Sequence, residues 1–390
     1  YDLASRSIAW LTDGSRECYT PVWSPDGSTI AYVENDAGDL GLTLHALNGK
    51  VDRYAELPGI HTQIEFTPDS RTVIFTFAGP DRPADLWTWT PSSQQPKQLT
   101  NSLPAAIEPG LFVKPVHVYY PSLDADVNVP ALLYAPHGAH AQRDGSHPGV
   151  LYVHGGPTAQ YDNDFVIAVQ HLVLRGYVVL APNYRGSTGY GKRWREANRF
   201  DMGRGDTHDV VAGADYLVRE GWCDAKRIGI TGVSYGGYMT MTGLTFHPEK
   251  FAAGSALVPF VNWFTEHENE REDLQYWDEQ NMGDPVKDRE RWRAMSPIFF
   301  IDRITAPVQL FAGGHDPRCP LSESEQIRDK LHKRGRPVEL HVYADEGHGF
   351  RKIENRVDAY KKRAAFFDMH LNSAFSNQVL DFGKIPDSSL

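Results

Sequence analysis

One serine in this chain has the surroundings of a nucleophile. Ser234 is the third residue of the motif G-V-S-Y-G at residues 232–236, directly after the apolar segment 227–231 and directly before a helix-like run. A G-x-S-x-G motif between a strand and a helix places its serine on a sharp turn, with glycines where the chain must approach itself closely. An ordinary glycine-rich turn could have the same sequence, but the predicted strand and helix on either side of the motif favour a nucleophile.

A serine hydroxyl is a weak nucleophile near neutral pH, so a base and an orienting carboxylate must lie elsewhere in the chain. Asp316 follows the apolar segment 306–312, and His348 stands between two glycines after the segment 338–343. Both would lie at the carboxyl ends of strands, in the chain order Ser, acid, His. We therefore predict Ser234, Asp316 and His348 as a catalytic triad.

Other residues near the predicted acid and base are alternatives. Asp345 and Glu346 could replace Asp316, with Glu346 the second choice. His315 is adjacent to Asp316 but lies inside the same turn.

Acyl transfer also requires donors for the negative oxygen of the transition state. One donor is predicted to be the amide of Tyr235, directly after the nucleophile. The second is expected from the loop His154-Gly155-Gly156-Pro157, which follows the strand candidate 149–153. Its two glycines allow the backbone to turn N–H groups toward a substrate oxygen.

His154 could instead bind a metal. The nearby histidines His137, His140 and His147 lack the helical i, i+4 spacing with a carboxylate that zinc sites use. They are interpreted as a polar loop, and the sequence predicts no metal and no cofactor.

The elements that must position these residues alternate between short apolar strands and amphipathic helices. Strands are predicted at 112–119, 130–134, 149–153, 177–181, 227–231, 252–258, 308–312 and 338–343, and helices at 165–175, 206–220, 235–246, 322–334 and 355–372. This alternation predicts a mostly parallel sheet covered on both faces. With the nucleophile motif, it indicates an α/β-hydrolase domain over residues 106–390 with an eight-stranded sheet.

The first hundred residues carry a repeat. Residues 23–32 (W-S-P-D-G-S-T-I-A-Y) return as residues 66–75 (F-T-P-D-S-R-T-V-I-F), about 43 residues later, which is the ~40–45-residue period of a propeller blade. Each copy has a Pro-Asp turn between two strand-like segments, and 85–90 resembles a further strand. We predict a partial β-propeller of about two blades over residues 1–105, with two unrelated hairpins as the alternative.

Residues 95–109 are rich in Pro, Ser and Gln and are interpreted as the boundary between the two domains. Two blades do not close a ring. We therefore expect that upstream blades were removed or lie on another chain, or that this segment packs in another way. A homo-oligomer or a separate propeller fragment is the expected partner, and the first residue, Tyr1, is interpreted as the start of a trimmed chain.

Composition excludes several classes of function. The 39 Lys and Arg against 50 Asp and Glu give a net charge of −11, which argues against nucleic-acid binding. Three separated cysteines do not indicate a disulfide framework or a zinc site. An uninterrupted apolar run of about 18 residues is absent from the sequence, so no membrane association is expected, and a cytoplasmic enzyme fits best.

With these motifs in place, the sequence resembles the prolyl oligopeptidase family of serine peptidases, and most closely its acylaminoacyl-peptidase type. The resemblance extends from about Phe112 to Leu371 and rests on six motifs: His154-Gly155-Gly156-Pro157, N-Y-R-G-S-T-G-Y-G at 183–191, G-V-S-Y-G-G-Y at 232–238, M-G-D-P at 282–285, H-D-P-R at 315–318 and D-E-G-H-G-F at 345–350. It implies the same roles for Ser234, Asp316 and His348.

The resemblance also implies substrate contacts. The amide of Gly156 would join that of Tyr235 in the oxyanion hole, and Arg318 would bind the carbonyl of the residue before the cleaved one. Phe260 and Trp263 would wall an apolar pocket for the residue at the cleaved bond. The prolyl-oligopeptidase and dipeptidyl-peptidase branches have a tyrosine where this sequence has His154, which favours the acylaminoacyl type.

The sequence therefore predicts a serine peptidase that hydrolyses short peptides or N-acylated peptides through an acyl-enzyme. A carboxylesterase with the same triad is the first alternative, since both reactions need the same side chains. A catalytically inert fragment is the second.

Overall fold

A computed structural model describes residues 1–54, 57–91, 95–108, 110–141 and 143–372. Pro109, at the end of the predicted domain boundary, and residues 373–390 of the predicted catalytic domain lie outside the described residues. Two eight-stranded sheets contain the strands of the described chain.

The first sheet is built from the repeated segments. Its strands are β1 Glu17–Trp23, β2 Thr29–Asp36, β3 Asp39–Ala46, β4 Val51–Tyr54, β5 Ile60–Phe66, β6 Val73–Gly79, β7 Arg82–Trp89 and β8 Lys97–Gln98. Strands β1–β4 pair antiparallel in chain order, as do β5–β8. A single parallel pair, Leu40 with Ile60, joins the two groups. Each group has the four antiparallel strands of a propeller blade.

Both Pro-Asp turns of the repeat form hairpins. In the first, the Asp26 carboxylate accepts hydrogen bonds from the amide of Ser28 and the hydroxyl of Ser24. In the second, Asp69 accepts from the amide of Arg71 and the hydroxyl of Thr67. An aspartate that binds its own backbone two residues on stabilises the tight turn each hairpin requires.

The second sheet holds the predicted chemistry. Its strands are β9 Val116–Pro121, β10 Asn128–Tyr134, β11 His147–Val153, β12 Val178–Pro182, β13 Cys223–Val233, β14 Ala253–Leu257, β15 Val308–Gly313 and β16 Val338–Tyr343. The spatial order is β9-β10-β12-β11-β13-β14-β15-β16. The β9/β10 and β10/β12 pairs are antiparallel and the other five pairs are parallel.

Helices cover both faces of this second sheet. They are α1 Ile167–Leu174, α2 Lys192–Arg195, α3 Gly205–Arg219, α4 Tyr235–Phe246, α5 Trp263–Asn269, α6 Glu272–Met282, α7 Arg289–Ala294, α8 Leu321–Lys333 and α9 Ile353–Leu371. Side chains of β11 alternate between the two layers: Leu151 and Val153 pack with α3, α4 and α8, whereas Val150 and Tyr152 pack with α1 and α9. This period of two is what a strand buried on both faces requires.

The predicted fold class is confirmed by this sheet order and by the two four-stranded groups before it. Strand β16 and helix α4 have the predicted bounds, whereas β9 begins at Val116 rather than Phe112 because residues 112–115 do not pair. Helices α2, α5, α6 and α7 were not predicted. The domain boundary after residue 105 and the expected association with a second copy or a propeller fragment stay predictions. Among the described residues, no helix combines the length and the apolar character needed to cross a bilayer.

The two sheets touch through loops that lead toward the active site. The amide of Asn163 donates to the carbonyl oxygen of Gly38 at 2.8 Å. The side chains of Asn35 and Gln160 exchange hydrogen bonds at 3.2 Å. The turn between β2 and β3 therefore supports the loop that follows His154-Gly155-Gly156-Pro157.

A buried ion pair fixes the loop after β12 against α3. Arg185 donates from Nε and Nη2 to the two carboxylate oxygens of Asp209, each at 2.8 Å. The Asp209 side chain is fully buried, and Ser122 donates to it at 2.6 Å. Burial raises the pKa of Asp209, and Arg185 opposes that rise. Removal of the cation would leave a buried charge without its partner.

Arg185→Met should lower the free energy of unfolding by about 3–5 kcal/mol at pH 8, because Asp209 remains buried and ionised. The loss should be smaller at pH 5. Without Arg185 the folded-state pKa of Asp209 rises further above its unfolded value, and such a group loses stability as pH rises. Urea unfolding at both pH values measures this. Arg219→Met, at an exposed arginine of α3, is the control and should change stability by at most about 0.5 kcal/mol. A similarly small effect of Arg185→Met would contradict the analysis.

Candidate active site

Ser234 occupies a strained turn between β13 and α4. Its backbone φ is 59° and ψ is −122°, a left-handed region that a residue with a side chain seldom adopts. Its amide donates to the carbonyl oxygen of Leu257 at 2.9 Å, which ties the turn to the neighbouring strand β14. The turn places the half-buried Ser234 at the edge of the sheet.

The glycines on either side of the turn are required by space. A Cβ on Gly232 would lie 2.3 Å from the carbonyl oxygen of Gly236, and one on Gly236 would lie 2.2 Å from that of Val153. Both distances are too short for any side chain, so the motif reflects the packing of β13, β11 and α4.

Asp316 lies just past the carboxyl end of β15 with its side chain fully buried. One carboxylate oxygen accepts from the amides of Arg318 and Cys319 at 2.9 and 3.0 Å. These two donors hold the carboxylate in one orientation.

His348 connects the carboxylate to the serine. Its Nδ1 lies 2.9 and 3.0 Å from the two carboxylate oxygens of Asp316, and its Nε2 lies 2.8 Å from the Oγ of Ser234. The β15 and β16 loops are packed so closely that a Cβ on Gly313 would lie 2.2 Å from the carbonyl oxygen of Gly347. This chain of hydrogen bonds can carry a proton from the serine hydroxyl to the imidazole.

The alternative acids and base have other contacts. Glu346 accepts from the amides of Arg351 and Lys352 at 2.9 and 3.0 Å, so it shapes the loop after His348. Asp345 is exposed and pairs with Lys352. His315 is exposed, and its amide donates to the carbonyl oxygen of Glu346.

The two expected oxyanion donors lie beside the serine. Gly156 and Tyr235 both line the cavity that contains Ser234. Tyr235 begins α4, and amides in the first turn of a helix have no partner within the helix and carry partial positive charge. A Cβ on Gly155 would lie 3.3 Å from the Cβ of Ser234, which shows how closely this loop approaches the nucleophile.

His154 is buried behind this loop. Its Nε2 lies 2.9 Å from the Oγ of Ser187, and its ring stacks on Tyr184 at 4.3 Å between centroids. Burial lowers the pKa of His154 to about 4, so the ring is neutral near pH 7. His154 therefore supports the loop through its contacts with Ser187 and Tyr184.

Little in the sequence points to Asp206, a buried aspartate that contacts the side chain of the expected oxyanion donor Tyr235. The Tyr235 hydroxyl donates to Asp206 at 2.5 Å, and the amides of Gly203 and Thr207 donate to the same carboxylate at 2.7 and 2.8 Å. Burial raises the pKa of Asp206 to about 7. The network fixes the ring of Tyr235 and thereby the start of α4. An aspartate in the first turn of a predicted helix was a weak signal for it, since most such residues are exposed.

The cavity beside Ser234 has a volume of about 320 Å³. Phe260 and Trp263 form part of its wall: the Phe260 ring stacks on Tyr238 at 4.6 Å, and Trp263 Nε1 donates to the Tyr238 hydroxyl at 3.1 Å. The exposed Arg318 also lines it. All three predicted substrate contacts thus border the cavity.

The cavity is not the apolar pocket that the resemblance implied. Glu266, Glu270 and Asp278 line it as well, and the sequence analysis did not single them out. Glu266 and Glu270 are one turn apart and follow Trp263 by one and two turns, a spacing that could have placed all three on one helix face. His267, Glu270 and Asp278 have ligand atoms within 4.8 Å of one another and are the described residues that could hold a metal.

Comparison with known proteins gives a family match. The model of the prolyl oligopeptidase family matches residues 163–374, which contain Ser234, Asp316 and His348. An uncharacterized peptidase, YuxL, of Bacillus subtilis is 28% identical over 355 residues, covering 90% of this chain and 53% of that protein. The acylamino-acid-releasing enzyme of Rattus norvegicus is 26% identical over 370 residues, covering 90% of this chain and 50% of that protein.

The fold has close structural relatives too. An acylaminoacyl peptidase solved in complex with Z-Gly-Gly-Phe-chloromethyl ketone has a TM-score of 0.80 at 26% identity, covering 93% of this chain and 57% of that one. The chain spans about half the length of the curated relatives it matches.

The buried Asp206 should make stability depend on pH. Its folded-state pKa of about 7 lies above the ordinary value of 3.8, so folding takes up a proton between these values and stability falls as pH rises through them. Asp206→Asn, whose amide can donate to the Tyr235 hydroxyl, removes this proton uptake.

Between about pH 4 and pH 7, the free energy of unfolding of the wild type should therefore fall by a few kcal/mol relative to that of Asp206→Asn. Denaturant unfolding across this range measures the difference. Asp224→Asn, at an exposed aspartate, controls for adding an amide. Parallel profiles of the Asp206→Asn variant and the wild type would show that Asp206 does not titrate as described.

Proposed function

Because the chain belongs to the prolyl oligopeptidase family, we propose that it is a serine peptidase that cleaves short or N-acylated peptides through an acyl-enzyme on Ser234. The observation that carries the proposal is the hydrogen-bonded series from Ser234 through His348 to Asp316, at 2.8 and 2.9 Å.

The first half of the reaction forms the acyl-enzyme. The Oγ of Ser234 attacks the substrate carbonyl carbon while Nε2 of His348 takes the hydroxyl proton. Asp316 holds Nδ1–H of the imidazole toward itself and stabilises the cation that forms. The imidazolium then gives its proton to the leaving amine, and the C–N bond breaks.

The negative oxygen of the intermediate needs donors at the moment it forms. The amide of Tyr235, at the start of α4, is one, and the amide of Gly156 is the other. The partial positive charge of the helix N-terminus adds to both. Loss of one such donor typically costs about 10²–10³ in kcat.

Water completes the cycle by the reverse proton path. His348 takes a proton from the water as it attacks the acyl carbon, and Ser234 leaves as the protonated hydroxyl. No group beyond those of the chain is needed for this chemistry.

The cavity and the relatives support the proposed substrate class. The rat relative is named for releasing acylamino acids, and the acylaminoacyl peptidase structure contains a Z-blocked tripeptide derivative. A blocked amino terminus removes the need for an acidic site that grips a free one. Arg318, exposed at the cavity, supplies a donor for the carbonyl of the residue before the cleaved one.

Ser234→Ala should reduce kcat/KM for an N-acetylated peptide p-nitroanilide by about 10⁶-fold, because no nucleophile remains. His348→Ala should be nearly as severe. Anilide hydrolysis and labelling by a fluorophosphonate probe, followed by peptide mapping, measure both effects. Ser187→Ala, at a buried serine that contacts His154, controls for loss of a hydroxyl near the site. Retention of activity or label by Ser234→Ala would refute the proposed nucleophile.

Asp316→Asn should reduce kcat by about 10⁴-fold with little effect on stability, since an amide oxygen can still accept from Arg318 and Cys319. The cause is the imidazole tautomer: an amide facing Nδ1 no longer holds a proton there. Glu346→Gln is the matched control and should retain most activity. If Glu346→Gln were the more damaging change, Glu346 would be the acid.

An anilide and an ester with the same acyl group separate a peptidase from a carboxylesterase. We expect cleavage of both N-acetyl-amino-acid p-nitroanilides and the matching p-nitrophenyl esters, because protonation of the leaving amine by His348 is available. Ester hydrolysis with no measurable anilide hydrolysis would contradict the peptidase assignment.

A further inference from the structure

The cavity beside Ser234 contains buried carboxyl groups that the mechanism does not use. Glu266, Glu270 and Asp278 line it together with Ser234 and Tyr235. Asp278 and Glu266 are only 3% and 4% exposed. Buried carboxylates in proteins are normally paired with a cation or a metal.

For two oxygens in this group, the described part of the chain supplies no hydrogen-bond donor. Oε2 of Glu266 and Oε1 of Glu270 are buried and accept no hydrogen bond from the described residues. The neighbouring Glu323 is different, because its Oε2 accepts from the amides of Val261 and Asn262 at 3.0 and 3.2 Å. Nearly all buried polar atoms in folded proteins are paired. The unpaired oxygens of Glu266 and Glu270 therefore indicate a donor that comes from outside the protein.

Positive charge near these carboxylates is sparse. Among the described residues that line the cavity, Arg318 alone carries a fixed positive charge, and its side chain is exposed. Nδ1 of His267 lies 3.4 Å from the Asp278 carboxylate, whereas Glu270 and Glu266 interact with the Asp278 carboxyl group and the Cys319 thiol, which carry no positive charge. Burial raises the pKa of Glu266, Glu270 and Asp278, as expected for carboxyl groups without a cation.

The remainder of the wall is apolar. Phe260, Trp263, Leu274 and Trp277 line the same cavity. Helix α5 carries Trp263 and Glu266 on one face, with Glu270 directly after its last residue, and α6 carries Leu274, Trp277 and Asp278 at the i, i+3, i+4 spacing of one face.

Aromatic walls and acidic residues in one cavity match a particular type of side chain. Lysine and arginine have a long apolar stem and a cationic end, so they pack the stem on apolar surface and keep the charge on polar groups. A tryptophan face adds attraction for the cation. A volume of about 320 Å³ lies within the range of pockets for small ligands.

We propose that this cavity binds the side chain of a lysine or arginine at the residue whose carbonyl Ser234 attacks, with Glu266, Glu270 and Asp278 as its counter-ions. The inference rests on the proposed function, because Ser234 fixes where the attacked carbonyl lies. A free amino terminus of the substrate offers the same cationic chemistry, so the test uses substrates with acetylated amino termini.

The comparison of N-acetyl-arginine p-nitroanilide with N-acetyl-citrulline p-nitroanilide tests the proposal. Citrulline has the shape of arginine without its charge. We expect kcat/KM to be about 10²-fold higher for arginine, since charge-assisted hydrogen bonds to two or three carboxylates are made only by the cation. EDTA in all assays keeps a metal off His267, Glu270 and Asp278. Equal cleavage of the two substrates, or faster cleavage of citrulline, would overturn the proposal.

Variants assign the effect to the carboxylates. Glu266→Gln and Glu270→Gln should each reduce the arginine-to-citrulline ratio by about tenfold, and the double variant should bring it close to one. Glu268→Gln, at an exposed glutamate of the same helix, should leave the ratio unchanged. A double variant that keeps the wild-type ratio would show that other groups select the substrate.

Two further measurements keep this inference separate from the proposed function. Fluorophosphonate labelling of Ser234 in every variant reports an intact nucleophile without any substrate, and benzamidine should slow labelling of the wild type but not of the double variant. Normal labelling without discrimination between arginine and citrulline overturns the inference alone. No labelling of the wild type contradicts the proposed function itself. A preference for arginine that requires a free amino terminus would assign the carboxylates to that terminus and overturn the proposal.

Discussion

The strained conformation of Ser234 is the constraint on which the rest of the site depends. A side-chain-bearing residue at a φ of 59° costs about 1–3 kcal/mol, and the surrounding packing must hold it there. The hydrogen bond from the Ser234 amide to the carbonyl oxygen of Leu257, the close approach of Gly236 to Val153 and the start of α4 supply that packing. The hydroxyl, the first-turn amide of Tyr235 and the approach of the Gly155 loop all follow from this one turn.

Parallel strands bring Asp316 and His348 to the same edge of the sheet as Ser234. Asp316 and His348 follow β15 and β16, which pair with each other in register from Val308 with Val338 to Gly313 with Tyr343. Ser234 follows β13, which is separated from β15 by the single strand β14. Residues far apart in the chain therefore meet because their strands end at one edge, which is where open α/β sheets bind their ligands.

The same regularity explains how much of the molecule could be predicted from sequence. The strands and the helix 235–246 have strong apolar patterns and turn signals, and each predicted triad residue stands shortly after the end of a strand. The stretch around α5 and α6 was missed because residues 262–282 are mostly polar and lack an apolar period. Glu266 and Glu270 look like surface residues in the sequence, and only the fold buries them. An apolar pocket was expected because the family resemblance assigned Phe260 and Trp263 to the substrate pocket. It assigned no role to the acidic residues beside them.

A nucleophilic Ser234 must carry the acyl group of the substrate as a covalent intermediate. Rapid mixing with an N-acetyl-amino-acid p-nitrophenyl ester, followed by quenching in acid, intact-mass analysis and peptide mapping, detects this intermediate. We expect an added mass equal to the acyl group, located on the peptide that contains Ser234 and absent from Ser234→Ala. A turnover-competent protein that shows no adduct, or an adduct on another residue such as Cys319, would contradict this role of Ser234.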